Sequence, residues 1–158
     1  MNHIVFDHDG TLVDTSLTKS AQPRLYTGIY QLLTELKQLN VKIYLWTARG
    51  RASTVQILKS LEIIGFFEDI STATDCTPKP SCDGLALMLN EIPKESIIMI
   101  GDSMGDIHGA KDYGIKSMGV SWASEDPRHT KMLKDNGASV VCESVNECFE
   151  YLMTRIKG

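Results

Sequence analysis

Asp7 and Asp9 stand one residue apart at the end of an apolar run, Ile4-Val5-Phe6, and Gly10 follows them. A carboxylate taken out of water without a partner costs on the order of several kcal/mol. A pair at the end of a buried strand therefore points to a cation, a proton or a reaction that needs it. Asp-Gly is also an ordinary turn dipeptide, so the pair alone fits a plain exit from strand to loop equally well. A second pair, Asp102 and Asp106, follows Ile97-Ile98-Met99-Ile100-Gly101. If a helix begins near Ser103, an acid in its first turn offsets the helix dipole, which explains Asp106 better than Asp102. Thr47-Ala48-Arg49-Gly50 closes a third apolar run, Val41 to Trp46, ahead of a helix expected near Ser53. A hydroxyl and unpaired amides at a helix start suit a phosphate, or simply cap the helix. Lys79 lies between Pro78 and Pro80, which restrict its backbone on both sides.

In combination these fragments describe phosphate chemistry. Asp7, Asp9, Asp102 and Asp106 at the ends of neighbouring strands would repel one another strongly, so positive charge has to sit among them. Oxygen-only ligands at a phosphate site favour a hard ion, and Mg²⁺ is the usual one. Lys79 adds a fixed positive charge against the phosphoryl group.

The elements that must position these residues alternate. Short apolar, β-rich runs at Ile4–Asp7, Val41–Trp46, Ile70–Thr74, Ile97–Ile100, Ser117–Val120 and Ser139–Cys142 are separated by segments of helical spacing. The latter include Ile29, Leu32, Leu33, Leu36 and Leu39, and Val55, Ile57, Leu58 and Leu61. This alternation predicts an α/β fold, a parallel sheet with helices on both faces. Ligands of such sheets bind at the carboxyl ends of the strands, where the polar residues collect. Gly65, Gly114 and Gly137 are expected to terminate helices, and a last helix is expected over Val145–Ile156.

The 158 residues suit one domain, 1–158, with no internal repeat or long linker. A net charge of −4 without a dense Lys/Arg block disfavours nucleic acid as a partner. No segment reads as a signal peptide or a membrane span, so a cytoplasmic protein is expected. Cys76, Cys82, Cys142 and Cys148 have neither zinc-site nor disulfide-framework spacing and read as reduced structural thiols.

With these residues in place the chain resembles the haloacid dehalogenase-like hydrolase superfamily, in its phosphoglycolate phosphatase-like branch. Asp7-x-Asp9-Gly10-Thr11, Thr47, Lys79 and Gly101-Asp102-Ser103-x-x-Asp106 match the four superfamily motifs in order. The likeness continues through Leu25-Tyr26-Thr27-Gly28 and Ala110-Lys111-Asp112-Tyr113-Gly114. The resemblance implies a three-layer αβα, Rossmann-like fold and a phosphatase working through a phosphoaspartate. Asp7 is then the nucleophile and Asp9 the general acid and base. Mg²⁺ is held by Asp7, the Asp9 backbone carbonyl and Asp102, with Asp106 close by, while Thr47, neighbouring amides such as that of Ala48, and Lys79 grip the phosphoryl oxygens. An Asp at position 9 implies phosphatase or phosphomutase rather than dehalogenase chemistry. Phosphotransfer and an idle phosphate-binding protein remain as alternatives, the second opposed by the intact motifs.

That branch inserts a helical cap after the first motif. Here only ten residues, Thr15 to Arg24, separate Asp14 from Leu25, too few for a lid domain. An open site is expected, acting on a phosphorylated small molecule or on a phosphate carried by something larger, with a second subunit of a homo-oligomer as a possible cover. Arg49 and Arg51 are candidates for a second anion on the substrate, or else form a solvated helix start. Trp122 and His129, in the loop after the fifth strand, are candidate rim residues, and His8 is expected to be a packed, hydrogen-bonded histidine.

Overall fold

Side-chain alternation along three central strands decides the layering. In β1 (His3–Phe6), β4 (Lys42–Trp46) and β6 (Ile97–Gly101), the residues Ile4, Phe6, Ile43, Leu45, Ile98 and Ile100 point to one apolar cluster, and Val5, Tyr44, Trp46, Ile97 and Met99 to another. A strand buried on both faces needs helices on both faces. The first cluster is covered by α1 (Ile29–Gln38) through Leu32, Leu33 and Leu36, by Leu58 of α2 (Arg51–Ser60), and by Cys148 and Leu152 of α6 (Val145–Lys157). The second is covered by α3 (Asp83–Leu89) through Leu85, Met88 and Leu89, and by Ala110 of α4 (Met104–Tyr113). This computed structural model describes residues 1–16 and 22–157.

The main sheet has six parallel strands in the order β5-β4-β1-β6-β7-β8, with β5 at Phe67–Ser71, β7 at Lys116–Val120 and β8 at Val140–Cys142. The chain starts at β1, moves outward through β4 and β5, then returns to the other side of β1 with β6. The crevice between the ends of β1 and β6 is therefore a topological switch point, where ligands of open α/β sheets bind. A small antiparallel pair, β2 (Val13–Asp14) with β3 (Arg24–Leu25), follows β1. Between them lie nine residues, 15–23, where a cap would be inserted, so the fold carries a minimal cap at most; residues 17–21 lie outside the described residues.

The third expected run, Ile70–Thr74, is displaced. The edge strand begins at Phe67, because Glu68 and Asp69 face water at the sheet edge, where Glu68 pairs with Lys37 and Lys42. Its expected end, Thr72–Thr74, is instead a turn in which the Thr72 N–H and hydroxyl both donate to Asp75 at 2.8 Å. Gly114 and Gly137 take positive φ after α4 and after α5 (His129–Asp135), as expected of helix ends. Gly65 does not: Glu62, at φ 60, takes the left-handed position after α2, and Gly65 lies in a 3₁₀ turn. Helix α2 begins at Arg51, two residues before the expected start, and α6 runs to Lys157. All four cysteines are free thiols. Among the described residues no helix is long and apolar enough to cross a membrane.

Candidate active site

The carboxyl ends of β1, β4 and β6 bring the expected residues together. Asp7 follows β1, with its N–H bonded to the Ile100 carbonyl of β6, so the two strands deliver their acids in register. Oxygens of Asp7, Asp102 and Asp106 lie within 4.8 Å of one another. Gly10, at φ +79, makes this approach possible: a Cβ there would collide with the Asp102 carboxylate. Gly101 does the same for Asp106, whose side chain occupies the space a Cβ would need.

Ser103 and Asp106 form a reciprocal capping box at the start of α4. The Ser103 N–H and hydroxyl donate to Asp106 Oδ2 at 3.1 and 2.9 Å, leaving Oδ1 for Lys79. Asp106 thus lies in the first turn, where its charge offsets the dipole as expected; the capping box is an addition to that expectation, and both coexist with a place in the acidic cluster. Lys79 Nζ lies 2.9 Å from Asp7 Oδ1 and 2.5 Å from Asp106 Oδ1, with its side chain only 7% exposed. Burial works against its charge, but the two carboxylates outweigh burial and hold its pKa above the ordinary lysine value.

Burial raises Asp7 and Asp106 to about 6, helped by neighbouring carboxylates and opposed by Lys79. Asp102 is also raised, chiefly by burial. Three acids face one ammonium, so negative charge remains in excess. Their donors are all oxygen and converge on one point, which suits a small hard dication such as Mg²⁺. Asp7, Asp102 and Asp106 are the residues that would hold it.

Asp9 stands apart from this cluster. Its side chain is 35% exposed and is gripped by Arg49, with Nε 3.1 Å from Oδ2 and Nη2 2.7 Å from Oδ1. Burial works to raise the Asp9 carboxyl, but the nearby His8 and the Arg49 fork outweigh it and hold it well below the usual carboxylate range. Arg49 is thus neither a solvated helix start nor free for a substrate anion in this state. Its Nη1 also donates to Ser53 Oγ at 2.7 Å. Arg51 is turned away and clamps Asp75 and the Ile70 carbonyl, which makes it part of the β5 turn.

Thr47 is buried at the end of β4, and its hydroxyl accepts from the Arg49 N–H at 3.1 Å. It is not the cap of α2, since that position is Gly50, without a side-chain hydrogen bond. The Ala48 N–H has no partner among the described residues. Trp122 is not a free rim residue, for its Nε1–H donates to the Thr11 carbonyl at 3.1 Å and holds the loop after Asp9. His129 opens α5 rather than lying in a loop, and its Nε2 is 2.7 Å from the Asp102 carbonyl oxygen. A carbonyl only accepts, so Nε2 carries the proton. His8 is packed as expected but, among the described residues, not hydrogen-bonded: it is fully buried, and neither ring nitrogen has a partner there, although Nδ1 is 3.4 Å from Asp9 Oδ2.

One positioning residue escapes the sequence. Trp46, 1% exposed, lies under Lys79, with Nζ 4.6 Å from the ring centre. Its indole fits into two crevices that exist only because Gly84 of α3 and Gly109 of α4 lack side chains. Nothing in the spacing of these three residues signals the contact.

A six-stranded parallel sheet with an acidic pocket and a buried lysine at its switch point places the chain among the α/β folds. The family model for haloacid dehalogenase-like hydrolases matches residues 16–120, and the chain belongs to that family. A pyrophosphatase, PpaX, of Bacillus mycoides is 32% identical over 136 residues, 84% of this chain and 61% of the relative. PpaX of Bacillus velezensis is 33% identical over 101 residues, 61% of this chain and 46% of the relative. The chain thus spans about half to three fifths of the curated relatives it matches. Among solved structures, a haloacid dehalogenase-like protein from Agrobacterium tumefaciens superposes with a TM-score of 0.83 at 17% identity, covering 99% of each chain. A haloacid dehalogenase-like hydrolase from Streptococcus pneumoniae gives 0.78 at 22% identity, covering 96% of this chain and 98% of its own. At such identities these structures speak for the fold.

Proposed function

We propose that the protein is a Mg²⁺-dependent phosphatase that hydrolyses phosphate monoesters through a phosphoaspartate on Asp7. The observation that carries this reading is the junction at the ends of β1 and β6. There Asp7, Asp102 and Asp106 converge, and Lys79 links the first to the third. A carboxylate oxygen of Asp7 attacks phosphorus, and the bond to the leaving oxygen breaks with its electron pair. Asp9 supplies the proton that this oxygen takes up. Water then attacks the phosphorus of the acyl phosphate and loses a proton to Asp9, and the pair of the breaking bond returns to Asp7.

Lys79, the Thr47 hydroxyl and the Ala48 N–H face the phosphoryl oxygens, where charge must be balanced during transfer. A bound Mg²⁺ would supply further neutralisation, letting a dianionic phosphate approach the acids. The minimal cap favours hydrolysis over phosphoryl return, because a phosphomutase must shield its phosphoenzyme from water. The substrate is a small phosphorylated metabolite or a phosphate presented on a larger molecule. The pyrophosphatase name of the Bacillus relatives makes pyrophosphate one candidate.

Phosphate release from a panel of phosphorylated metabolites and pyrophosphate, with Mg²⁺ and then with excess EDTA after dialysis, tests this reading. Release that chelation abolishes is expected. Undiminished release in EDTA, or none from any ester by folded, Mg²⁺-supplied protein, overturns it.

A further inference from the structure

The ion pair between Arg49 and Asp9 is at odds with the work proposed for Asp9. Both Asp9 oxygens are engaged by one guanidinium fork, at 2.7 and 3.1 Å. A group that must pass a proton to the leaving oxygen has to turn an oxygen toward that atom, so the fork has to let go during turnover. A planar fork holding a carboxylate at the open side of the site is also a ready seat for any other oxyanion of similar size. Arg49 is anchored for such an exchange, because Nη1 is tethered to Ser53 Oγ on the first turn of α2.

A second, independent feature lies beside Asp9. His8 is fully buried and neither of its ring nitrogens has a partner among the described residues. A buried imidazole leaves at least one N–H unpaired there, which is unfavourable, and such groups call for a specific explanation. Nδ1 lies only 3.4 Å from Asp9 Oδ2, so a small rotation of the carboxylate completes the missing hydrogen bond.

We propose that Arg49 is a substrate-operated latch on Asp9. A second anionic group on the leaving-group side of the substrate, carboxylate or phosphate, takes over the guanidinium fork, and Asp9 turns to His8 and to the scissile bond. Arg49 is then a specificity-determining residue, His8 a positioning residue, and the favoured substrates are phosphate monoesters whose leaving group carries its own negative charge. The inference rests on the phosphatase reading and extends it to the substrate class.

The test uses two matched pairs of esters with the Mg²⁺-supplied protein. Phosphoglycolate against glycolamide phosphate probes a carboxylate; propane-1,3-diol bisphosphate against the monophosphate probes a phosphate. The expected result for the wild type is a kcat/KM about tenfold or more higher for the charged member of at least one pair, and the responding pair names the anion. Arg49→Gln should lower kcat/KM for that charged ester and raise it for the uncharged ones, since the latch is gone. Arg49→Lys, which keeps charge without a fork, should fall between. His8→Phe, which fills the space without an N–H, should lower kcat for the charged ester and leave KM unchanged. A merely structural Arg49 would lower both members of a pair by the same factor. That outcome, no wild-type preference for charge, or uncharged esters that fail to gain in Arg49→Gln overturns the latch while the phosphatase stands. No release from any of the four esters overturns the phosphatase reading and the latch with it.

Discussion

The ammonium of Lys79 rests on the face of the Trp46 ring, 4.6 Å from its centre, while it reaches Asp7 and Asp106 with its hydrogens. A lysine side chain has several rotatable bonds, and holding its head at one point costs conformational entropy. The indole beneath, the prolines on both sides and the two carboxylates remove that freedom before any substrate arrives. A cation on an indole face contributes about 0.5–2 kcal/mol.

Trp46→Phe keeps an aromatic face under Lys79 and should retain most of the activity. Trp46→Leu removes it and should lose about tenfold in kcat. Phosphate release by both variants, compared at temperatures where circular dichroism shows each fully folded, checks this. Equal activity of the two would show that the aromatic face is irrelevant to Lys79.

Gly84→Ala and Gly109→Ala should both destabilise the protein. Within a helix alanine is ordinarily better than glycine by about 1 kcal/mol. Here a methyl group at either site would overlap the Trp46 ring, and overpacking of this kind costs about 1–3 kcal/mol. Urea denaturation of the two variants beside the wild type measures the difference; a rise in midpoint for either would mean the indole moves freely aside.

The pH dependence of stability follows from Asp7 and Asp106. Their pKa values are raised from 3.8 to about 6 in the native state, so between those values the folded protein binds more protons than the unfolded chain. Their contribution is fully present below 3.8 and is lost as pH rises through 6. In the metal-free protein these two groups therefore favour pH 5 over pH 7. Mg²⁺ binds the folded state and displaces those protons, so it should raise Tm more at pH 7 than at pH 5. Thermal melts at the two pH values, with EDTA and with Mg²⁺, test both statements.

Asp9→Asn should lower kcat by about a hundredfold to ten-thousandfold with alkyl phosphates, the range for a lost general acid and base. The loss should be smaller with aryl phosphates, whose leaving oxygen needs less protonation. Steady-state kinetics on an alkyl and an aryl ester separate the two, and an equal loss on both would place the role of Asp9 elsewhere.

The sheet was legible because its strands carry continuous apolar runs, and the acids because each pair follows such a run. The edge strand was misplaced by three residues, since Glu68 and Asp69 face water and interrupt the apolar signal. His129 was expected in a loop because α5 is short and only Leu133 in it is buried. Asp7, Lys79, Asp102 and Asp106 lie together, and Thr47 stands at the end of the neighbouring strand β4. The contacts that tune them, Trp46 under Lys79, Arg49 on Asp9 and His129 on the Asp102 carbonyl, join residues far apart in sequence. Each depends on tertiary packing, and for Trp46 on the absence of two side chains, which no local pattern records.

The central claim is the covalent intermediate on Asp7. The direct measurement is mass spectrometry of peptides from acid-quenched protein after brief exposure to a phosphate ester and Mg²⁺, with the Asp9→Asn variant used to slow hydrolysis of the intermediate. The account predicts one added phosphoryl group on the peptide that contains Asp7, its removal by hydroxylamine, and its absence from Asp7→Asn. Phosphate release by Asp7→Asn at a rate near that of the wild type, or turnover with no phosphoryl group on that peptide, would contradict it.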